Sequence, residues 1–279
     1  MGTLYVVATP IGNLEDVTLR ALRVLREVRL IAAEDTRTAR KLLARYDIAT
    51  PTTSYFEHNK AAKMPQVLAA LAEGDVALIS EAGMPGLSDP GYELVRAAIA
   101  AGYPVVPIPG PSAITTALAA AGLPADRFVF LGFLPRRKKE RRELLAEVAG
   151  LPWTLVFFEA PHRILESLAD MQEVLGDRPM AAARELTKMH EEIARGTVAE
   201  LRARLEAGDT RGEFTLVVAG ASREPPAAWP RERVVAALRE AMGRGLPAKE
   251  AAREVGRAAG WKPREVYTLY TELKRLPDA

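Results

Sequence analysis

Between residues 3 and 118, short continuously apolar runs alternate with segments of helical period, and that alternation restricts the fold more than any other feature. The runs are residues 3–8 (TLYVVA), 30–33 (LIAA), 76–80 (VALIS) and 104–108 (PVVPI). None offers a polar face to water. Strands apolar on both faces belong to a parallel sheet covered by helices on both sides. After the first run, Val17, Ala21, Leu22, Leu25 and Val28 recur at helical spacing while Arg20, Arg23 and Arg26 take the other face. Asp16 is placed to cap that helix. Further helices are predicted over 36–46, capped by Asp35 or Thr36, over 63–73, ending at Gly74-Asp75, and over 92–101, ended by Gly102. Pro111 opens another to Ala121, as proline at a first helical position does. The expected class is α/β.

Over residues 123–222 the order changes. Strand patterns at 128–134, 154–158, 180–185, 192–195 and 213–219 surround helical patterns at 136–148, 162–175 and 198–205. Strands here sometimes follow strands directly, which predicts a mixed sheet. Residues 221–230 (ASREPPAAWP) read as a linker. Three short helical patterns follow, broken by glycine turns, and the last two have helix-turn-helix spacing. The expected organisation is an α/β domain over 1–120, a mixed α/β domain over 121–222, a linker over 223–230 and a helical tail over 231–279.

Composition removes several classes of chemistry. The chain has no cysteine, so disulfides, thiolate metal sites, iron–sulfur clusters and a cysteine nucleophile are out of reach. Its three histidines, His58, His162 and His190, lie far apart in sequence, and no metal site is expected. Charged residues, Gly or Pro interrupt every hydrophobic stretch before it reaches membrane-spanning length. Residues 1–8 run directly into a strand pattern without a basic leader, so a soluble, cytoplasmic protein is expected. The net charge of +2 is unevenly spread: residues 229–279 hold 11 Lys and Arg against 7 Asp and Glu, leaving the rest slightly acidic. A basic tail suits an anionic partner, although a solvated helix face explains it as well.

Three glycine and proline turns each follow an apolar strand. They are Ala8-Thr9-Pro10-Ile11-Gly12-Asn13, then Glu81-Ala82-Gly83-Met84-Pro85-Gly86-Leu87-Ser88-Asp89-Pro90-Gly91, and Ile108-Pro109-Gly110-Pro111-Ser112-Ala113. In an open α/β sheet the carboxyl ends of strands line the binding crevice, and small residues there let backbone groups approach a ligand. One such turn is ordinary; three point to a ligand crevice. None matches a dinucleotide or P-loop signature. No nucleophile elbow is present, and Ser112 has no base nearby in sequence, so acyl-transfer hydrolysis fits poorly. Polar groups at other strand ends extend the set: Glu34-Asp35-Thr36-Arg37, Glu57-His58-Asn59 after Tyr55-Phe56, Glu159-Ala160-Pro161-His162-Arg163, and Arg184-Glu185-Leu186-Thr187-Lys188. Taken singly, each has a structural explanation, such as Asp35 capping a helix. The run Arg136-Arg137-Lys138-Lys139-Glu140-Arg141-Arg142 has six cations in seven residues, a density suited to phosphate contacts.

These segments together resemble the bacterial family of ribosomal RNA small subunit methyltransferases I, within the tetrapyrrole methylase (class III) group of S-adenosylmethionine enzymes. The resemblance runs from about residue 3 to residue 275. It is carried by Val7 to Leu14, Ala33 to Arg37, Ser54 to Asn59, Ser80 to Gly91, Pro109 to Ala113, Leu131-Gly132-Phe133-Leu134-Pro135, Phe158 to Arg163, Arg184 to Lys188 and Gly212-Glu213-Phe214-Thr215. It implies two α/β domains with S-adenosyl-L-methionine between them, a helix-turn-helix-like tail, a homodimer, and 2′-O-methylation of a cytidine in the decoding region of 16S rRNA, on naked rRNA or the 30S subunit. Donor contacts are implied from Thr9, Pro10, Ile11, Gly12, Asn13, Gly83, Met84, Pro85, Ser88, Ser112 and Ala113, with Phe158, Ala183 and Thr215 from the second domain. Where the family usually has Asp-Ala-Gly-Thr-Pro, this chain reads Glu81-Ala82-Gly83-Met84-Pro85, so a threonine hydroxyl is absent at Met84.

Methyl transfer from a sulfonium needs mainly an aligned acceptor, helped by a general base. The candidates are Glu34, Asp35, Glu57, His58, Glu159 and Glu185, with Arg37, Arg163 and Lys188 for phosphate or oxyanion contacts. Glu159 and Arg37 lead, because the resemblance places both segments at the crevice. Arg136, Arg137, Lys138, Lys139, Arg141, Arg142, Lys262 and Arg264 are the expected RNA contacts. A tetrapyrrole methyltransferase is the alternative enzyme; it explains the crevice turns but not the basic run. A ligand-sensing helix-turn-helix regulator is the non-enzymatic alternative.

Overall fold

The structure, a computed structural model, describes residues 2–222 and 229–275. Strands β1 (Leu4–Val7), β2 (Leu30–Ala33), β3 (Thr52–Ser54), β4 (Val76–Ile79) and β5 (Val105–Ile108) alternate with helices α1 (Leu19–Glu27), α2 (Thr36–Arg45), α3 (Lys60–Glu73) and α4 (Tyr92–Ala100). The five strands form one parallel sheet in the order β3-β2-β4-β1-β5. The continuous apolarity of the strands now has its cause. Val7, Ile31, Ala77 and Ile79 pack on one face with Leu25 of α1 and Leu42 of α2. Leu4, Ala32, Val76 and Leu78 pack on the other with Leu71 of α3 and Leu94 of α4.

Four local expectations are corrected. Asp16 closes a single 3₁₀ turn (Leu14–Asp16), and it is Thr18 that caps α1, its hydroxyl accepting from the Ala21 N–H at 3.1 Å. The edge strand runs over Thr52–Ser54, not Tyr55-Phe56. An edge strand exposes one side and so tolerates threonines that masked its pattern. Helix α3 begins at Lys60, three residues before the expected start. Pro111 precedes the cap residue Ser112 of α5 (Ala113–Ala121), so it orients the entering chain and does not occupy the first helical position.

The second sheet is mixed, as expected. It comprises β6 (Phe128–Phe133), β7 (Thr154–Glu159), β8 (Pro179–Arg184), β9 (Glu192–Thr197) and β10 (Phe214–Val218), in the order β6-β7-β10-β8-β9, with β6-β7 alone parallel. Helices α6 (Lys138–Val148), α7 (Ile164–Leu175) and α8 (Val198–Glu206) cover one face through Leu145, Leu168 and Leu201. The other face receives α5: Ile114, Ala117 and Leu118 pack with Val156, Ala181 and Val217. Because α5 leaves the first sheet and is buried against the second, residues 1–221 form one compact unit.

Residues 222–279 are a separate unit. Helices α9 (Arg231–Gly243), α10 (Ala248–Ala259) and α11 (Pro263–Arg275) share a core of Val234, Leu238, Val255, Val266 and Leu269. Gly260 ends α10 with a left-handed φ of 67°, the conformation glycine adopts at no steric cost. Trp261 Nε1 donates to the Trp229 carbonyl at 2.9 Å, tying the turn to the start of the unit. Residues 223–228 of the expected linker lie outside the described residues.

Candidate functional site

The three glycine and proline turns meet at Gly83. Thr9 N–H donates to the Gly83 carbonyl at 2.9 Å and Gly83 N–H to the Thr9 carbonyl at 3.0 Å, joining the turns after β1 and β4. Gly83 has φ of +77°, and a Cβ there would lie 3.6 Å from Ile11 Cγ2 and 3.8 Å from the Pro111 carbonyl of the third turn. Above this junction opens a crevice of about 830 Å³, within the range of small-molecule sites. It is walled on one side by the carboxyl ends of β1, β2, β4 and the start of α5. On the other side stand the ends of β7, β8 and the beginning of β10.

The two walls interlock at glycines. A Cβ on Gly12 would lie 2.5 Å from Lys188 Cγ, 2.7 Å from Thr187 Oγ1 and 3.0 Å from the Leu186 carbonyl. A Cβ on Gly132 would lie 3.1 Å from Ser88 Oγ. Two of the residues met there, Ser88 and Thr187, and the nearby Glu185 are strained, with φ of 66°, 67° and 52° without being glycine. Such conformations cost about 1–3 kcal/mol each and gather at functional sites.

Of the residues implied as donor contacts, Thr9, Pro10, Ile11, Gly12, Gly83, Met84, Ser88, Ser112, Ala113, Phe158, Ala183 and Thr215 line the crevice; Asn13 and Pro85 do not. Asn13 instead accepts from the Glu15 N–H at its own turn. The N–H groups of Thr9 and Gly83 are occupied by each other, so these residues shape the floor. Phe158 packs against Phe133 with ring centroids 5.4 Å apart, and both rings form an apolar wall.

The candidate acids, bases and cations divide sharply. Glu34, Glu159 and Lys188 line the crevice, whereas Asp35, Arg37, Glu57, His58, Arg163 and Glu185 do not. Arg37 was one of the two favoured residues. Its guanidinium is 85% exposed and folds back on Asp35 at 2.8 Å, and Asp35 caps α2 through the Arg37 N–H. The hydrogen bonds from Arg37 hold the Asp35 carboxyl down at about 2. Glu57 pairs with Lys60 on the surface. Glu159 is fully buried and its carboxylate is committed: it accepts from the Ala160 N–H at 2.7 Å, from the Ser167 hydroxyl, and from the Arg163 guanidinium at 2.5 Å. Arg163 also donates to the Leu134 carbonyl at 3.0 Å, so this pair organises the crevice wall. Lys188 bridges Glu185 at 2.9 Å and Glu213 at 3.0 Å. Burial works against its charge, but the two carboxylates outweigh it and raise its pKa.

The sequence reading passed over Asp89. Its carboxyl is half-buried at the crevice edge, and its pKa is pushed up to about 7, first by burial and then by the charge of Glu34, with Glu81 adding and the Ser80 hydroxyl opposing. Glu34 is raised in turn, chiefly by burial, although its Oε2 accepts from the Glu81 N–H at 3.1 Å. No ion pair reaches Glu34, Glu81 or Asp89 among the described residues. An apolar ring wall facing uncompensated carboxylates suits a cationic, nucleoside-sized ligand.

The basic run is corrected at one position. Arg141 is buried, its guanidinium bound to Asp170 at 2.6 Å, so it faces the interior. Arg142 shares Asp170 at 2.7 Å and also pairs with Glu173. Arg136, Arg137, Lys138 and Lys139 remain exposed, as do Lys262 and Arg264 in the tail.

Comparison with known proteins agrees with this architecture. Residues 3–202 match the family model for tetrapyrrole (corrin/porphyrin) methylases. The ribosomal RNA small subunit methyltransferase I of Halalkalibacterium halodurans is 48% identical over 96% of this chain and 94% of its own length. The protein of that name from Synechocystis is 45% identical over 98% of this chain and 99% of its own. Among solved structures, the methyltransferase CobJ aligns with a TM-score of 0.59 at 22% identity, over 79% of this chain and 95% of that one. Uroporphyrin-III C-methyltransferase from Thermus thermophilus, complexed with S-adenosyl homocysteine, aligns at 0.55 and 20% over 77% and 97%. The structural likenesses establish the shared fold.

Proposed function

We propose, because this chain belongs to the tetrapyrrole methylase family and to its ribosomal RNA small subunit methyltransferase I branch, that it transfers a methyl group from S-adenosylmethionine to small-subunit ribosomal RNA. The acceptor is the 2′-hydroxyl of a cytidine in the decoding region of 16S rRNA, and the working enzyme is a cytoplasmic homodimer. The observation that carries this reading is the near-complete co-linearity with relatives of that name at 45–48% identity. Likeness to the solved tetrapyrrole methyltransferases stays at 16–23% identity and shows the fold alone. Among the described residues no helix is long and apolar enough to cross a membrane.

The crevice residues fit the donor. Ile11, Gly12, Ser112 and Ala113 present backbone and side chains of modest size, Phe133 and Phe158 an apolar surface, and Glu34 negative charge that a sulfonium or ammonium neutralises. When bound, S-adenosylmethionine supplies an activated methyl group together with its own leaving group. The protein's part is then to hold the acceptor in line and exclude competing nucleophiles. Lys41, exposed on α2 at the crevice rim, stands where a phosphate of the entering strand is neutralised. Arg136 to Lys139 add further exposed positive charge, and the tail carries exposed cations of its own. The test is methyl transfer from labelled S-adenosylmethionine to 30S subunits lacking the modification, with the product located by nuclease digestion and mass spectrometry. A 2′-O-methylcytidine in the decoding region is expected. No label in 30S subunits or naked 16S rRNA, with the donor bound, removes the reading in favour of a small-molecule acceptor.

A further inference from the structure

We propose that the Asp89 carboxylate takes the proton of the acceptor hydroxyl during methyl transfer, an inference that rests on the function proposed above. The crevice offers few other proton acceptors. Glu159 has its lone pairs engaged by Ala160, Ser167 and Arg163. Glu213 is held by Lys188 at 3.0 Å. Glu34 accepts from the Glu81 N–H, and Glu81 lies exposed at the rim beside Thr38. Asp89 and Glu34 share a place in the crevice wall, partial burial and no cation within ion-pair distance among the described residues; Glu34 is tied to the backbone of the neighbouring turn through the Glu81 N–H, whereas Asp89 is met only by the rotatable Ser80 hydroxyl.

Its position is fixed by packing. Ser88, in the left-handed region, turns the chain into Asp89. Gly91 follows with φ of +149°, where a Cβ would lie 3.1 Å from Leu78 Cδ2 and 3.2 Å from the Gly86 N. The carboxyl therefore stands on a turn locked against β4, between the donor-side loop and α4. The charged groups that face it are Glu34 from the end of β2 and Glu81 from the end of β4, with the Ser80 hydroxyl. Two like charges and burial strengthen it as a base, and a proton acceptor works best with its pKa near the working pH. In the step, the O2′–H bond breaks and its proton passes to an Asp89 oxygen. The O2′ lone pair forms the O–CH₃ bond, and the C–S bonding pair returns to sulfur as a neutral thioether. Asp89 then returns its proton to water after product release.

The experiment uses the full chain, 30S subunits lacking the modification and saturating S-adenosylmethionine, under single turnover across pH 5–9. In parallel, carbon NMR follows the Asp89 carboxyl in the donor-free protein, and calorimetry measures donor affinity. The wild-type rate is expected to climb about tenfold per pH unit and level off near 7, where the carboxyl itself titrates. Asp89→Asn is expected to lose at least 100-fold in rate, and the inflection with it, while donor affinity stays within threefold. Glu34→Gln is expected to move both midpoints to lower pH. Asp89→Asn within threefold of wild type, loss of donor binding in that variant, or a wild-type carboxyl titrating below 5 each overturns the proposal alone. Absence of ribose methylation by the wild type overturns the functional reading with it.

Discussion

At the scale of single residues, the crevice depends on positions that carry little chemistry of their own. Gly12 has no side chain, yet a Cβ there meets Lys188, Thr187 and the Leu186 backbone. Lys188 can swing away, but the Leu186 carbonyl belongs to a strained turn with little freedom to yield. Gly12→Ala should therefore weaken S-adenosylmethionine binding about tenfold while the melting temperature moves by only a few degrees; calorimetry and thermal unfolding separate the two. Asp89 makes the opposite trade. Its folded pKa near 7 stands above the ordinary 3.8, so between those values the folded chain holds a proton that the unfolded chain has lost. Its contribution to stability is present below about pH 4 and is lost as pH rises through 7. Asp89→Asn should thus be more stable than wild type at pH 8 by about 2 kcal/mol, after allowance for partial exposure, and unfold at a higher temperature. The gap should close towards pH 4, and thermal melts at both pH values check it. Stability gained with activity lost is the behaviour of a residue retained for function. Sequence could not single Asp89 out, because Ser-Asp-Pro-Gly reads as turn chemistry. Its perturbation comes from burial first and then from Glu34, just past the end of β2, neither of which local sequence encodes.

At the scale of elements, helix α6 shows how charge density can mislead. Six cations in seven residues read as one solvated, phosphate-binding surface. The helix nevertheless has an inner face, and Arg141 lies on it, bonded to Asp170 of α7. Breaking a buried pair from one side strands the other charge. Arg142 keeps part of the neutralisation, so Arg141→Ala should cost about 2–3 kcal/mol in denaturant unfolding. Arg136→Ala and Lys138→Ala should stay within about 0.5 kcal/mol and instead reduce the salt dependence of RNA binding. Elements with strong periodicity, such as α1, α7 and β4, were readable because one physical requirement, burial, writes their whole pattern. Strand β3 was not, because an edge strand of three residues can be polar. The start of α1 was misplaced because Asp16 and Thr18 are both competent caps and the intervening 3₁₀ turn decides between them. Likewise Arg37 and Glu159 shared equal standing in sequence. Folding sends one outward to Asp35 and buries the other beneath Arg163.

At the scale of the whole molecule, the chain forms two compact units. Residues 1–221 hold both sheets and the crevice, joined through α5, whose burial against the second sheet fixes the walls on either side of the crevice. Residues 222–279 have a core of their own and a surplus of positive charge. The cations described there lie on α9 to α11 and in the turns between them, and under the proposed function they should add affinity for a polyanion. Each phosphate neutralised by a lysine or arginine contributes roughly one unit to the slope of log affinity against log salt. Lys262 and Arg264 are both exposed at the turn into α11. Reversing both, Lys262→Glu with Arg264→Glu, should therefore flatten that slope by about two and weaken binding to 16S rRNA at low salt by ten- to a hundredfold. The single-turnover rate at saturating RNA, and the affinity for S-adenosylmethionine, should remain those of the wild type. Filter binding across a salt series, set beside single-turnover methylation, resolves the alternatives. A changed rate at saturation would place the tail in the catalytic complex. An unchanged salt slope would show that its positive surface serves something other than RNA.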